Sequence, residues 1–380
     1  MNAVQAYNLD PILPLLLIAG LLATLPLVWV YRRQGVVDRR GALTLWCLFL
    51  TFDLVLLGAF TRLSDSGLGC PDWPGCYGTS SPVAAHGAIA QAQAELPDGP
   101  VTHRKAWIEM LHRYLAGAVG ALLVVLTAWG WRDAVRVKAM PTEGVRFGVP
   151  WWPTWTLLWV LVQGAFGAWT VTMKLWPAIV VLHLLGAYML LVLLIMQIVG
   201  TWGQRIVVSG RVRPLLWLAL VLVVLQAASG AWVSANYAVL VCDGFPQCQG
   251  RWWPAMDFKQ GFGVWRPLGM AADGAALTLQ SLTAIHMAHR LLALLCVGVL
   301  LILVAVLRGF PGLRRYLLAL SGLLALQVLT GLGNVLFNWP LASALLHTGG
   351  AGCLVVLVVA LLVHTVGGVP ERAGRGMHHA

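Results

Sequence analysis

Nine stretches of about twenty predominantly apolar residues recur along this chain, at about 11–31, 43–61, 107–131, 152–171, 178–200, 214–233, 281–307, 315–337 and 341–364. At 1.5 Å of rise per residue, a helical run of that length matches the hydrocarbon thickness of a bilayer. In lipid every backbone N–H and C=O must find its partner inside the protein, so a chain built from such runs folds as a bundle of membrane-spanning α-helices. A soluble domain buries one or two cores and has no use for so many long uncharged segments. The expectation is an all-α polytopic membrane protein.

Arginine and lysine then set its direction. Arg32, Arg33, Arg39 and Arg40 share one connection; Arg132, Arg136, Lys138 and Arg146 share another; Arg205, Arg211 and Arg213 lie in a third; Arg308, Arg314 and Arg315 lie in a fourth. These alternate with less basic connections, and the positive-inside rule makes the four cytoplasmic. The N-terminus and two long loops, about 62–106 and 234–280, are then outside, which in a bacterial inner membrane means the periplasm, and the C-terminus is cytoplasmic. The net charge of +11 is thus a matter of topology. No nucleic-acid motif accompanies it, and the 19 Trp suit interfacial belts. The first ten residues carry no Lys or Arg and the first apolar run is followed by basic residues, so that run reads as a retained span rather than a cleaved leader.

The chain also repeats itself. CPDWPGCYG, Cys70 to Gly78, and CDGFPQCQG, Cys242 to Gly250, both read C-x-x-x-P-x-C-x-G. The span before each ends in GAF (Gly58 to Phe60) or GAW (Gly230 to Trp232), and the span after each carries His112-Arg113 or His289-Arg290. Further on, Gln163 and Gln327 each open a Q-x-x-x-G, and His183 and His347 each open an H-x-x-G-A. Four spans return the chain to the side it left, so the copies run in parallel and an inverted-repeat transporter is disfavoured. The expected organisation is two tandem pseudosymmetric four-helix bundles, 43–204 and 205–366. An extra N-terminal transmembrane helix with its basic loop, 1–42, precedes them, and a cytoplasmic tail, 367–380, follows. The tail, with His378 and His379, reads as disordered.

Each half supplies two histidines at one depth, within one or two turns of the outer end of their spans. A lone intramembrane His is usually a helix-contact residue. Duplicated pairs point instead to haem iron held from both sides of a flat macrocycle, with Gly186, Ala187, Gly350 and Ala351 leaving room for it. Two haem sites are the natural count. Structural zinc would want four close ligands, and no C-x-x-C-H for covalent haem is present. Cys47, Cys296 and Cys353 lie in apolar segments as small hydrophobes. Cys70 with Cys76, and Cys242 with Cys248, face an oxidising compartment and can each close a short loop as a disulfide, either as a staple on a lid or as a reducible redox pair.

The halves differ at one chemically telling position. Aligning the His-Arg pairs sets Glu109 opposite His286, so only the first half has a carboxylate three residues before its histidine, on the same helix face. An intramembrane carboxylate beside an imidazole reads first as a functional site, the alternative being that both lie at the wet helix end and anchor it. The second half then suits a resting haem with both axial positions filled, and the first a site where a carboxylate acts on what is bound. Arg113 and Arg290 either meet haem propionates or snorkel to the interface.

Taken together, GAFTRLSDSGLGCPDWPGC, the E-x-x-H-R of Glu109 to Arg113, the H-x-x-G-A of His183, the second cysteine loop, His289-Arg290 and His347 resemble the haem A synthase family, over about residues 43 to 364. The resemblance implies eight helices in two pseudosymmetric halves and oxidation of a methyl group of haem O to a formyl, giving the haem A of terminal cytochrome oxidases. It implies His289 and His347 as ligands of a haem b cofactor, His112 and His183 as ligands of the substrate haem, and Glu109 as catalytic. Haem O synthase, the farnesyltransferase that makes the substrate, and an electron donor are the implied partners; monomer or homo-oligomer stays open. The span at 11–31 exceeds the eight-helix pattern, and His286 has no role legible from spacing. The competing readings are a dihaem b-type electron carrier, quinol-linked, and a haem transport or assembly protein.

Overall fold

A computed structural model describes residues 7–32, 39–139, 151–199 and 205–367, with the side chains of 136–139 left out. Arg33, Arg146, His378 and His379, and the side chains of Arg136 and Lys138, therefore lie outside the described residues. Nine long helices account for the nine apolar runs: α1 (Ile12–Arg32), α2 (Arg39–Leu63), α4 (His103–Ala139), α5 (Trp151–Thr172), α6 (Pro177–Val199), α7 (Val212–Ala235), α9 (Leu279–Leu307), α10 (Arg314–Leu336) and α11 (Leu341–His364). Two shorter helices, α3 (His86–Glu95) and α8 (Phe258–Gly261), belong to the long loops. Among the described residues eight helices are long and apolar enough to cross a membrane. α5 is the ninth long helix: its five tryptophans, Trp151, Trp152, Trp155, Trp159 and Trp169, favour the interface over the hydrocarbon and lower its hydropathy.

The duplication is written into the backbone. Left-handed residues occur at matched positions of the two copies: Asp65 and Tyr237, Tyr77 and Gln249, Gly78 and Gly250, Lys174 and Asn338, Leu175 and Trp339. Several are bulky residues for which φ near +50° is unfavourable, so the same turn is imposed twice by the surrounding fold. In each half the second helix packs along the first and the fourth along the third: α4 on α2 and α6 on α5, then α9 on α7 and α11 on α10. The halves meet through α2, α6, α7 and α11. In lipid the hydrophobic effect does not drive helices together; small residues and interhelical hydrogen bonds do. Gly352 lies against the ring of Tyr188 and Gly349 against Leu56 and Phe52, while Tyr188 Oη donates to Thr348 O at 2.7 Å across the boundary.

α1 packs on the first half. Ala19, Ala23, Pro26 and Val30 are its buried face, and Ala19 Cβ lies close to Gly117 of α4. Leu13, Leu17, Leu21 and Leu25 on the other face are exposed, as a lipid-facing stripe should be. Just before it, β1 (Tyr7–Asn8) pairs in parallel with β2 (Trp73–Pro74), fastening the start of α1 to the first cysteine loop. At the opposite end of the bundle, β3 (Ile206–Val208) pairs with β4 (Thr365–Gly367), and Arg213 donates to Thr365 O at 2.8 Å.

Candidate functional site

Both cysteine loops cap the same end of the bundle, each closed by a disulfide: Cys70–Cys76 with S–S 2.08 Å and Cys242–Cys248 with 2.02 Å. The first loop is shaped by Asp72, fully buried, whose carboxylate accepts from Tyr77 N at 2.6 Å and Gly78 N at 2.7 Å. Burial, then the charges of Asp72 and Glu95, raise the Tyr77 phenol above its ordinary pKa. Gly69 lies so near the backbone of Lys105 and Ala106 that any side chain there would collide with α4. The second loop is held by a residue the sequence reading passed over. Arg266 is 1% exposed, donates to Asn236 Oδ1 at 2.6 Å and Met270 O at 2.9 Å, and lies over the Trp232 ring. A lone Arg in a loop, directly after Trp265, carries no periodic signal, so only the tertiary contact identifies it.

Beneath the first loop, Glu109 is 3% exposed and doubly held. Its Oε1 forms an ion pair with Arg113, and its Oε2 accepts from Cys70 N at 2.8 Å. Arg113 also donates to Asp72 O at 2.9 Å, to Pro74 O at 3.3 Å and to Gly75 O. Loop, carboxylate and helix are thereby one hydrogen-bonded unit. The second half builds its counterpart without a carboxylate. Arg290 donates to Gly244 O at 2.8 Å and Gln247 O at 3.2 Å, and His286 Nδ1 lies 2.8 Å from Ala238 O. His286 is therefore a strut between α9 and the turn after α7, a role that spacing could not reveal. Both arginines hold their loops.

One cavity of about 1580 Å³ runs between the halves. All four paired histidines line it, together with Glu109 and both arginines. It exceeds the roughly 300–1,000 Å³ of ordinary small-molecule sites, and its wall is mainly apolar. Each imidazole rests on a glycine of the neighbouring helix: His112 on Gly58, His183 on Gly167, His289 on Gly230 and His347 on Gly331. A methyl group would sit 2.9 Å from His112 Cε1, 3.5 Å from His183 Cε1, 3.0 Å from His289 Cε1 and 3.2 Å from His347 Cε1. Those four glycines are the ones in GAF, GAW and the two Q-x-x-x-G repeats, so the short motifs are seats for rings. The glutamines of the same repeats pack on the glycines of H-x-x-G-A, Gln163 on Gly186 and Gln327 on Gly350.

The arrangement fits haem better than a bare ion. Among the described residues no three His, Cys, Asp or Glu side chains gather as a metal site. A macrocycle supplies its own four nitrogens and asks the protein only for axial donors. His289 and His347 have ring centroids 6.4 Å apart. Two imidazoles on opposite sides of one metal, each with its nitrogen at ~2 Å, have centroids at about that separation. In the first half His112 Nδ1, His183 Nδ1 and both polar atoms of Gln163 are buried without a hydrogen-bond partner. Such groups are costly in an apolar wall unless something bound answers them.

Residues 41–359 match the COX15-CtaA family, described as cytochrome oxidase assembly protein. The chain is 37% identical over 318 residues to a heme A synthase of Shewanella oneidensis, covering 83% of this chain and 93% of that one. It is 28% identical over 354 residues to a heme A synthase of Caulobacter vibrioides, covering 85% and 96%. A heme A synthase of Novosphingobium aromaticivorans is 28% identical over 344 residues, covering 84% and 92%.

Proposed function

The chain belongs to the family of cytochrome oxidase assembly proteins, and from that premise we propose that it is a haem A synthase, oxidising a methyl group of haem O to a formyl. His289 and His347 hold a haem b cofactor, and His112 and His183 bind the substrate haem. The observation that carries this reading is the asymmetry at one position: both residues line the cavity, but the first half places a carboxylate there, Glu109, held by Arg113 and Cys70 N, and the second an imidazole, His286, hydrogen-bonded to Ala238 O. A symmetric dihaem electron carrier would share the histidine seats but has no use for that difference.

Oxidising an unactivated C–H bond is beyond amino-acid side chains, and a haem iron supplies that redox chemistry. The chain's own residues do the rest. Arg113 and the Cys70 N–H hold the Glu109 side chain in fixed orientation in the cavity wall, where it would accept a proton as the methyl group is oxidised. Because Arg113 is given to Glu109 and the loop carbonyls, we assign it to positioning the carboxylate. Arg290 Nε, buried and without a partner, is the donor left for a propionate. A substrate bearing a farnesyl tail enters from lipid between helices, which suits the apolar cavity wall. The cysteine-capped end is periplasmic and the C-terminus cytoplasmic, with haem O synthase and an electron donor as partners in the bacterial inner membrane.

The decisive experiment is expression in a host that makes haem O and no haem A, followed by chromatography of the extracted haems. Haem A is expected; a stable, haem-loaded protein that yields none would overturn the assignment.

A further inference from the structure

The two halves treat the outer nitrogen of each imidazole differently. His289 Nδ1 lies 2.8 Å from Ser229 Oγ, and His347 Nδ1 lies 2.9 Å from Thr330 Oγ1. Both hydroxyls give their only proton to their own helix: Ser229 to Gln226 O at 2.9 Å, Thr330 to Leu326 O at 2.6 Å. Each hydroxyl oxygen is then an acceptor, so Nδ1 carries the ring hydrogen and Nε2 keeps its lone pair. That is the tautomer a metal takes from neutral imidazole through Nε2. Gln226 Nε2 lies 3.1 Å from His289 Nδ1 and 3.3 Å from Nε2, so its amide packs beside the ring and it is the Ser229 hydroxyl that selects the tautomer.

The first half lacks all of this. His112 Nδ1 and His183 Nδ1 are buried and make no hydrogen bond. The repeat that pairs Gly58 with Gly230 and Gly167 with Gly331 places Leu57 opposite Ser229, Leu54 opposite Gln226 and Phe166 opposite Thr330. Hydroxyls have been exchanged for hydrocarbon beside otherwise equivalent ring seats.

We propose that Ser229 and Thr330 are positioning residues that fix the tautomer and orientation of His289 and His347 and so make the second half a permanent haem site, whereas Leu57 and Phe166 leave His112 and His183 able to release their haem. The proposal rests on the haem A synthase reading, in which one haem stays and the other must leave as product. An acceptor on the outer nitrogen strengthens imidazole as a donor and removes the freedom it would lose on ligation; losing such a partner typically weakens metal binding ~10–100-fold.

The test uses the full chain purified in detergent from a host that makes haem b and haem O. Haem transfer to excess apomyoglobin is timed, and the midpoint potential of the retained haem is measured. Ser229→Ala with Thr330→Val should speed release of the second-half haem ~10–100-fold and raise its midpoint potential, because a weaker imidazole donor stabilises ferric iron less. Ser229→Thr and Thr330→Ser should restore both quantities. Leu57→Ser with Phe166→Thr should slow release from the first half. Wild-type release rate and potential in the Ser229→Ala, Thr330→Val protein would overturn the proposal. So would faster release with an unchanged potential, which marks simple loosening of the bundle. Haem A formation is scored separately, so a protein that makes no haem A refutes the functional reading and leaves the release and potential data to judge this one.

Discussion

The first and second halves share a backbone down to their left-handed turns, and each seats two imidazoles on two glycines. What separates them is polar chemistry around those rings. The first half pairs its histidines with Glu109 and leaves their Nδ1 atoms bare; the second gives both rings a hydroxyl and turns the matching carboxylate position into a strut, His286. Duplication supplied the scaffold twice. On the proposed function, a handful of side chains with no effect on the helix count make one copy a holder and the other a workplace. The extra helix α1 deepens the contrast, since it lies against α4 in the first half.

The sharpest way to break the comparison is at Glu109. Glu109→Ala should keep the second-half haem, seen in its reduced absorption spectrum, while haem A formation falls by ~10²–10⁴, the usual worth of a positioned proton acceptor. His286→Ala should leave turnover largely intact and cost stability instead; equal loss of turnover in both variants would erase the distinction drawn here. Next in size come the ring seats. Gly58→Val should empty the first site and Gly230→Val the second, each read as haem per protein, because the added side chain meets His112 or His289 within about 3 Å of the backbone position. Loss of both haems from either variant would show that the halves do not load independently.

A smaller effect separates the two loops. Serine in place of both Cys70 and Cys76 should lower haem A formation more than the same change at Cys242 and Cys248, because only the first disulfide loop lends an N–H to the carboxylate. Equal losses would make both loops plain staples. Smallest of all is Tyr188→Phe at the boundary, which removes one interhelical hydrogen bond worth about 0.6–2 kcal/mol. It should lower the thermal midpoint by a few degrees with haem content unchanged.

Much of this was readable along the chain. Apolar runs gave the spans, and the paired cysteine loops with the His-Arg, Q-x-x-x-G and H-x-x-G-A repeats gave the duplication and the four ring positions. Glu109 against His286 was visible as a difference between copies. Leu57 against Ser229 and Phe166 against Thr330 stood in the same alignment, yet nothing in one dimension says that Ser229 and Thr330 meet a histidine on another helix. The anchoring by Arg266 and the commitment of Arg113 to a loop were likewise hidden, because each depends on which group lies across a gap rather than on spacing within a segment.

The sequence by itself determined a duplicated bundle of membrane helices carrying two pairs of histidines. Hydrophobic length and periodicity suffice for that, since lipid admits little else. Tertiary structure alone decided where α1 lies, which glycine seats each ring, what holds Glu109 and which imidazole nitrogens are engaged. Those are matters of ångström distances between helices remote in the chain, and hydrogen bonds form only where folding has brought the partners together.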